Sequence, residues 1–252
     1  MKTTIDLNAD LGEAETTDGM ARDIAIMDIV SSCNIACGGH AGSPKTMRAM
    51  LTAAKEKAVS AGAHPSYPDR ENFGRVSMII DPEDLKASIW EQLRRIKSIA
   101  AEIGVSITHL KPHGALYNDA QDSDSLAELL VGIAHGAQLP LVGMADSVIE
   151  AKAKQSGVHF IAEAFIDRRY TEYSRLVPRT EQNAVIADDA ARIGQGLALA
   201  QALPIEVSGD QPRTIKTETL CLHSDSEGAL ATAAAMRQAL ENEGFSIAAS
   251  TG

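Results

Sequence analysis

The sequence predicts an α/β fold: a single-domain, seven-stranded (β/α) barrel of the TIM-like kind spanning residues 1–252. Three observations carry that expectation. Short apolar runs alternate with longer amphipathic segments from end to end, the pattern of parallel strands joined by crossover helices. Roughly seven such strand–helix units fill about 250 residues, which suits a closed barrel. No Gly/Ser- or Pro-rich spacer, charge block or short-period repeat divides the chain. The competing architecture is an open doubly wound sheet. It would gather reactive residues mainly at one switch point, whereas a barrel draws them from the C-terminal ends of most strands.

Strands are expected at Thr4–Asn8, Val30–Ala36, Val59–His64, Ile107–Lys111, Pro140–Met144, His159–Phe165 and Thr219–His223. Between them lies helical periodicity. Ser43-Pro44 opens one helix as cap and first residue, with Met47, Met50, Leu51 and Ala54 on one face. Asp81-Pro82 opens the longest, whose stripe of Leu85, Ile89, Leu93, Ile96, Ala100 and Ile103 stops at Gly104. Further helices carry Leu126, Leu129, Leu130 and Ile133, then Ile193, Leu197 and Ala200, then Leu230, Ala234 and Leu240.

Composition narrows the function. Lys plus Arg number 23 against 34 Asp plus Glu, a net charge of −11. With no basic run to offset it, this argues against nucleic acid and anionic membrane surfaces as partners. Apolar stretches break well before the ~20 residues of a membrane span. Met1-Lys2 leads straight into Thr3-Thr4-Ile5 with no apolar signal region, and three cysteines make no disulfide framework. The expectation is an acidic cytoplasmic protein.

Side chains two apart on a strand share a face. Asp6, Asn8 and Asp10 share one, against Ile5, Leu7 and Ala9. His109, Lys111 and His113 share another, as do Glu163 with Asp167, and Cys221 with His223 and Asp225. His40 and His64 close the second and third units. Acids and histidines gathered at strand ends point to a site, because buried charge is costly unless paired or bound to a metal. Blander readings compete. Asp6 and Asp10 also suit salt-bridged acids or turn formers, and His64 a satisfied core histidine. His109, deeper along its strand than Lys111, suits support rather than chemistry, and His135 and His159 read as structural. Cys33, Cys37 and Cys221 read as small apolar fillers.

Absences decide as much. The chain contains no GxxxxGK[ST] loop, HExxH helix or GxSxG elbow, and Gly194-Gln195-Gly196 lies inside a helical pattern. What remains is a His/Asp constellation with Lys111 and Arg75, Arg168, Arg169 and Arg179. Asp and His ligands with open coordination suit a divalent metal that activates water, and the cations suit an oxyanion or a substrate carboxylate. The implied reaction is hydrolysis of an amide, ester or lactam bearing an anionic group. Without a metal, the same groups can run general acid–base chemistry.

Seven stretches stand out in order: Asp6-Leu7-Asn8-Ala9-Asp10-Leu11-Gly12-Glu13, Asn34 to Gly42, Gly62 to Asp69, Phe73-Gly74-Arg75, Lys111 to Asn118, Glu163 to Tyr170, and Leu176-Val177-Pro178-Arg179. Together, from Ile5 to about Asp225, they resemble the LamB/YcsF family of 5-oxoprolinase A subunits. The resemblance implies a seven-stranded barrel variant related to polysaccharide deacetylases. It further implies the hydrolytic component of an ATP-dependent 5-oxoprolinase, opening 5-oxo-L-proline to L-glutamate. ATP use belongs to two partner subunits, in keeping with the missing phosphate loop. An unstrained lactam is a poor electrophile, and phosphorylating its oxygen supplies a leaving group.

By analogy with the deacetylases, the resemblance makes Asp10, His64 and His113 a metal triad, the metal's identity being unspecified. It assigns Asp10, Lys111 and His113 to catalysis, and Asn8, Glu13, His40, Arg75, Arg168 and Arg179 to substrate or phosphate. The chain departs from the family pattern at Gly39, Ser43, Val76 and Ser224, where Phe, Asp, a second Arg and Gly are usual. Val76 removes one positive charge and leaves anion binding there to Arg75. Two other readings stand beside the hydrolase: a stand-alone deacetylase or amidase, weakened by an aromatic content of only 4%, and a non-catalytic lactam-binding subunit.

Overall fold

A computed structural model describes residues 4–209, 211–223 and 228–250. The chain runs β1 (Thr4–Leu11), α1 (Thr17–Ile26), β2 (Ser32–Ala36), α2 (Pro44–Lys57), β3 (Ser60–His64) and α3 (Pro82–Ile103). It continues through α4 (Gly114–Asp119), α5 (Asp124–Ala137), β4 (Leu141–Met144), α6 (Val148–Gln155) and β5 (Phe160–Phe165). It ends with α7 (Asp189–Ala200), β6 (Thr219–His223), α8 (Ala229–Asn242) and β7 (Ser246–Ile247). The expected Asp225 and Ser224 lie outside the described residues.

Six strands pair in parallel in the order β3-β2-β1-β6-β5-β4. The strand expected at Ile107–Lys111 is an extended segment that pairs only through bridges from Leu110 to Ala63 and to Leu141. It still joins the two sheet edges. Thr108 N and Lys111 N donate to Ala61 O and Ala63 O, each at 2.9 Å, while Leu110 N donates to Pro140 O and Val142 N to Leu110 O, also at 2.9 Å. Pro112, with no N–H, gives the β4 side no donor after Leu110, whereas on the β3 side His113 N still donates to Pro65 O at 2.8 Å. The result is the expected barrel with one stave reduced to a few bonds. Two-residue β7, which no periodicity could announce, pairs Ser246 and Ile247 with Thr4 and Ile5 below the start of β2.

The apolar core lies between the strands and the surrounding helices. Ile5, Leu7, Ala9 and Leu11 are all at most 1% exposed and face it. The intervening Asp6, Asn8 and Asp10 are also buried, inside the barrel. The longer helices begin and end where their caps dictate. Ser43 and Thr46 form a reciprocal box ahead of Pro44, so serine there caps competently. Asp81 caps α3 through Glu83 N at 2.9 Å, and Gly104 terminates it in the left-handed region at φ 75°.

The barrel interior depends on one missing side chain. A Cβ at Gly62 would stand 2.1 Å from His109 Nε2, so glycine is what lets His109 cross the barrel to Asn34. Gly62→Ala is therefore expected to destabilise by about 1–3 kcal/mol through overpacking. Urea denaturation measures it; unchanged stability would mean that His109 has somewhere else to go.

Candidate active site

The barrel interior below the C-terminal ends of the strands holds one connected polar network. Asn8 on β1 donates from Nδ2 to Thr219 Oγ1 at 2.7 Å and to Glu163 Oε1 at 3.0 Å. Asn34 on β2 donates to Asn8 Oδ1 and Asp10 Oδ1, both at 2.8 Å, and its own oxygen lies 2.8 Å from His109 Nε2. Lys111 is only 1% exposed. Its ammonium meets Asp10 Oδ1 at 2.9 Å, Glu163 Oε1 at 2.8 Å and Cys221 Sγ at 3.2 Å. Three N–H donors face three acceptors, which makes Lys111 a clamp on two carboxylates rather than an attacking group.

Electrostatics follow from this packing. Burial alone would raise the Asp10 carboxyl, but His64 and Lys111 outweigh it and hold Asp10 well below the usual carboxylate range. Burial would likewise lower Lys111, yet Asp10, Cys221 and Glu163 keep its ammonium well above the ordinary lysine range. Cys33 and Cys37 are pushed up to about 12 by burial, in keeping with fillers. Cys221, expected to be a third filler, instead touches the lysine.

Above this network stand three histidines and Glu13. His64, the last residue of β3, has Nδ1 2.8 Å from Lys111 O. His113 has Nε2 2.9 Å from Phe73 O. A carbonyl only accepts, so each of those nitrogens carries a ring proton, and in His113, held neutral by burial, Nδ1 carries a lone pair. Those two remaining nitrogens, His64 Nε2 and His113 Nδ1, lie 3.0 Å apart. The His113 lone pair thus faces His64 Nε2 at contact distance, an arrangement completed by a cation between the two nitrogens, either a proton or a metal ion.

The surroundings supply anionic oxygen. Asp10 Oδ2 is 3.3 Å from His64 Nε2, and Glu13 Oε1 is 3.4 Å from His113 Nδ1 and 3.0 Å from His40 Nε2. His40 stacks on His113 with ring centroids 3.5 Å apart. Burial, reinforced by neighbouring imidazoles, holds His40 and His113 well below the ordinary histidine range and so neutral. Ligand atoms of Glu13, His40, His64 and His113 all lie within 4.8 Å of one another, so this group can hold a metal ion. Tetrahedral ligands around an ion with bonds of 2.0–2.1 Å stand about 3.4 Å apart. Carbonyl-anchored imidazoles are also the usual outer support of metal-binding histidines.

Of the expected triad, His64 and His113 fall in the mutually close ligand set with Glu13 and His40, which were expected to touch substrate, while Asp10 is outside that set, 3.3 Å from His64 Nε2. Asn8 lies deeper, bonded within the network. The arginines behave differently from one another. Arg75 is exposed, its guanidinium 4.8 Å above the Phe73 ring. Arg168 is buried, donating to Val177 O at 2.6 Å and Ala184 O at 3.4 Å, which ties together the excursion between β5 and α7. Burial and neighbouring Arg179, itself exposed, bring Arg168 down to about 10. Asn34 and the Phe73 carbonyl were absent from the expected site. Alternation on β2 would have pointed to Asn34. Nothing in the sequence announces a carbonyl aimed by Phe73 at a left-handed φ of 57°.

His109 is the supporting residue its depth suggested, and it gives the fold a pH dependence. Burial, with Lys111 and His64 adding to it, pushes its imidazole from 6.5 down to about 3. The unfolded chain takes up a proton that the native state refuses. Stability is thus full above pH 6.5 and falls as pH drops toward 3, with about 2 kcal/mol lost from this group between pH 7 and 5. His109→Gln should flatten that part of the curve in denaturant titrations at the two pH values; an unaltered slope would contradict it.

A family model described as LamB/YcsF matches residues 5–252. The A subunit of 5-oxoprolinase from Chloroflexus aggregans (strain MD-66 / DSM 9485) is 38% identical over 248 residues, covering 97% of this chain and 98% of that one. The crystal structure of the lactam utilization protein from Thermus thermophilus superposes with a TM-score of 0.88 at 33% identity, covering 98% and 99% of the two chains. The catalytic domain of peptidoglycan N-acetylglucosamine deacetylase from Eubacterium rectale ATCC 33656 shares the fold alone, with a TM-score of 0.53 at 12% identity over 100% of this chain and 91% of that one. With the motifs in order and the match running essentially from end to end, this chain belongs to the LamB/YcsF family.

Proposed function

We propose that this chain is the hydrolytic subunit of an ATP-dependent 5-oxoprolinase and opens the lactam of 5-oxo-L-proline to L-glutamate. The observation that carries the reading is the pair of facing nitrogens on His64 and His113, walled by Asp10 and Glu13. The name of the C. aggregans relative supplies the substrate class and the idea of a complex of several chains. In this reading two further subunits bind and hydrolyse ATP, and the chain works as one domain in the cytoplasm. Among the described residues, no helix is long and apolar enough to cross a membrane.

His64, His113, Glu13 and His40 would hold a divalent cation, with Asp10 beside them. When bound, such an ion lowers the pKa of water and polarises a carbonyl. The chain's own groups do the rest. Asp10, kept ionised, takes the proton that the attacking water gives up. Lys111 and Asn34 hold its other oxygen so that the carboxylate keeps one orientation. Arg75, at the rim, is placed to meet the substrate's carboxylate.

The test is glutamate formation from 5-oxo-L-proline and ATP, with this chain added to or withheld from its partner subunits. Glutamate is expected only when the chain is present. Full production in its absence would end the proposal.

A further inference from the structure

Large apolar side chains are spread unevenly over the exterior. Among the described residues six are exposed, and four of them, Val76, Ile79, Tyr173 and Val185, stand on the two loops that follow β3 and β5. Ile79 is fully exposed and Tyr173 is 76% exposed. A loop that follows a barrel strand starts at its C-terminal end, so both belong to the face that carries the histidines. Both are fastened to one corner behind α4. Ser77 Oγ donates to Asp119 Oδ1 at 2.9 Å. Arg175, two residues after Tyr173, donates to Asp122 Oδ1 at 2.9 Å and to Asp146 O at 3.0 Å. Asp119 and Asp122 are three residues apart, so these ties set the two apolar segments beside the same stretch of rim.

Charge marks the same rim. The chain carries −11 overall. Here, though, Arg75 and Arg179 are exposed, one on each loop, and both lie near enough to buried Arg168 for their charges to act on it. Single exposed apolar residues are ordinary on any protein. Fastened apolar segments on two loops around a basic mouth have instead the anatomy of a docking surface, in which a few large anchors sit among polar neighbours. A second copy of this chain, docked by two-fold symmetry, would bring arginines against arginines. A partner that presents an anion at the mouth meets them with opposite charge.

The hydrolase reading supplies that anion. ATP spent on the lactam oxygen yields a phosphorylated ring, which bulk water would return to lactam and phosphate. Such a compound has to pass between subunits without release into solvent. We propose that Val76, Ile79 and Tyr173 form the surface on which the ATP-using partner assembly docks, over the basic mouth, to deliver the activated lactam. This inference rests on the hydrolase reading above.

The test reads binding and turnover separately. Binding of the full chain to its two partner subunits, purified together, is measured by biolayer interferometry without substrate. Ile79→Asp and Tyr173→Asp are each expected to raise the Kd about 30-fold or more, whereas Gln238→Glu, exposed on α8, leaves it unchanged. With 5-oxo-L-proline and ATP, both aspartate variants should make glutamate slowly when partner is limiting and at the wild-type rate when partner is in excess, because the buried site is intact. A wild-type Kd in both variants, or a loss of turnover that excess partner does not restore, overturns the docking surface. So does a wild-type chain that sediments alone as a dimer and is split by Ile79→Asp, since a second copy then covers the rim. A wild-type complex that assembles normally yet makes no glutamate overturns the hydrolase reading, and the delivery role with it.

Discussion

His113→Ala is expected to lower glutamate formation by about 10³-fold or more while the protein stays folded. The variant removes the ring that stacks on His40 and faces His64 Nε2 at 3.0 Å. It thereby deletes one of four convergent ligands together with the Nδ1 lone pair. Loss of a group essential for activating water or transferring its proton costs orders of magnitude in rate. The fold is expected to survive because the His113 ring packs on His40, His64 and Phe73 at the mouth, away from the apolar core between strands and helices. Circular dichroism and a thermal melt accompany the assay. A folded variant that turns over normally with ATP and both partners would favour the lactam-binding role over a chemical one.

Lys111→Met carries the largest expected effect on stability. Asp10 and Glu163 approach the same ammonium at 2.9 and 2.8 Å, and the three side chains are almost wholly buried. Methionine has similar length but leaves both carboxylates without their counter-charge in a desolvated interior. Breaking a buried ion pair from one side destabilises by about 3–5 kcal/mol, since the remaining charge is uncompensated. For a chain of this size that corresponds to a fall in Tm of roughly 6–20 °C. Asp10→Asn in the Lys111→Met background should recover part of the loss, because it removes one stranded charge. A single variant as stable as wild type would mean that the carboxylates take up protons at little cost, and that the clamp has no structural weight.

Much of this was legible in the chain. Alternation on β1 announced an apolar outer face and an acidic inner one, and that is how Ile5, Leu7 and Ala9 divide from Asp6, Asn8 and Asp10. Ser43-Pro44, Asp81-Pro82 and Gly104 marked helix ends because caps act locally. Other elements fell below the reach of periodicity. Helices α1, α4 and α6 are only 10, 6 and 8 residues long, and β7 has two, too few to build a pattern. The 107–111 segment read as a full strand because its alternation is correct, while Pro112 offers the β4 side no donor and the pairing comes down to a few bonds.

At the site, residue types were visible and partners were not. Lys111 looked reactive from its neighbours in sequence; its meeting with Glu163 and Cys221 depends on strands far apart in the chain. Glu13 and His40 were grouped with substrate contacts because the loops that carry them bring no register. Only the folded loops set Glu13 beside His40 and His113.

The most direct test of the account is the metal content of the purified chain, read by elemental analysis against activity in the assembled complex. One divalent cation per wild-type chain is expected, with little or none in His64→Ala and His113→Ala. Chelation should abolish glutamate formation and re-addition of the metal should restore it. Full turnover by a chain stripped of metal would mean that a proton alone bridges the His64 and His113 nitrogens, and would contradict the proposed site.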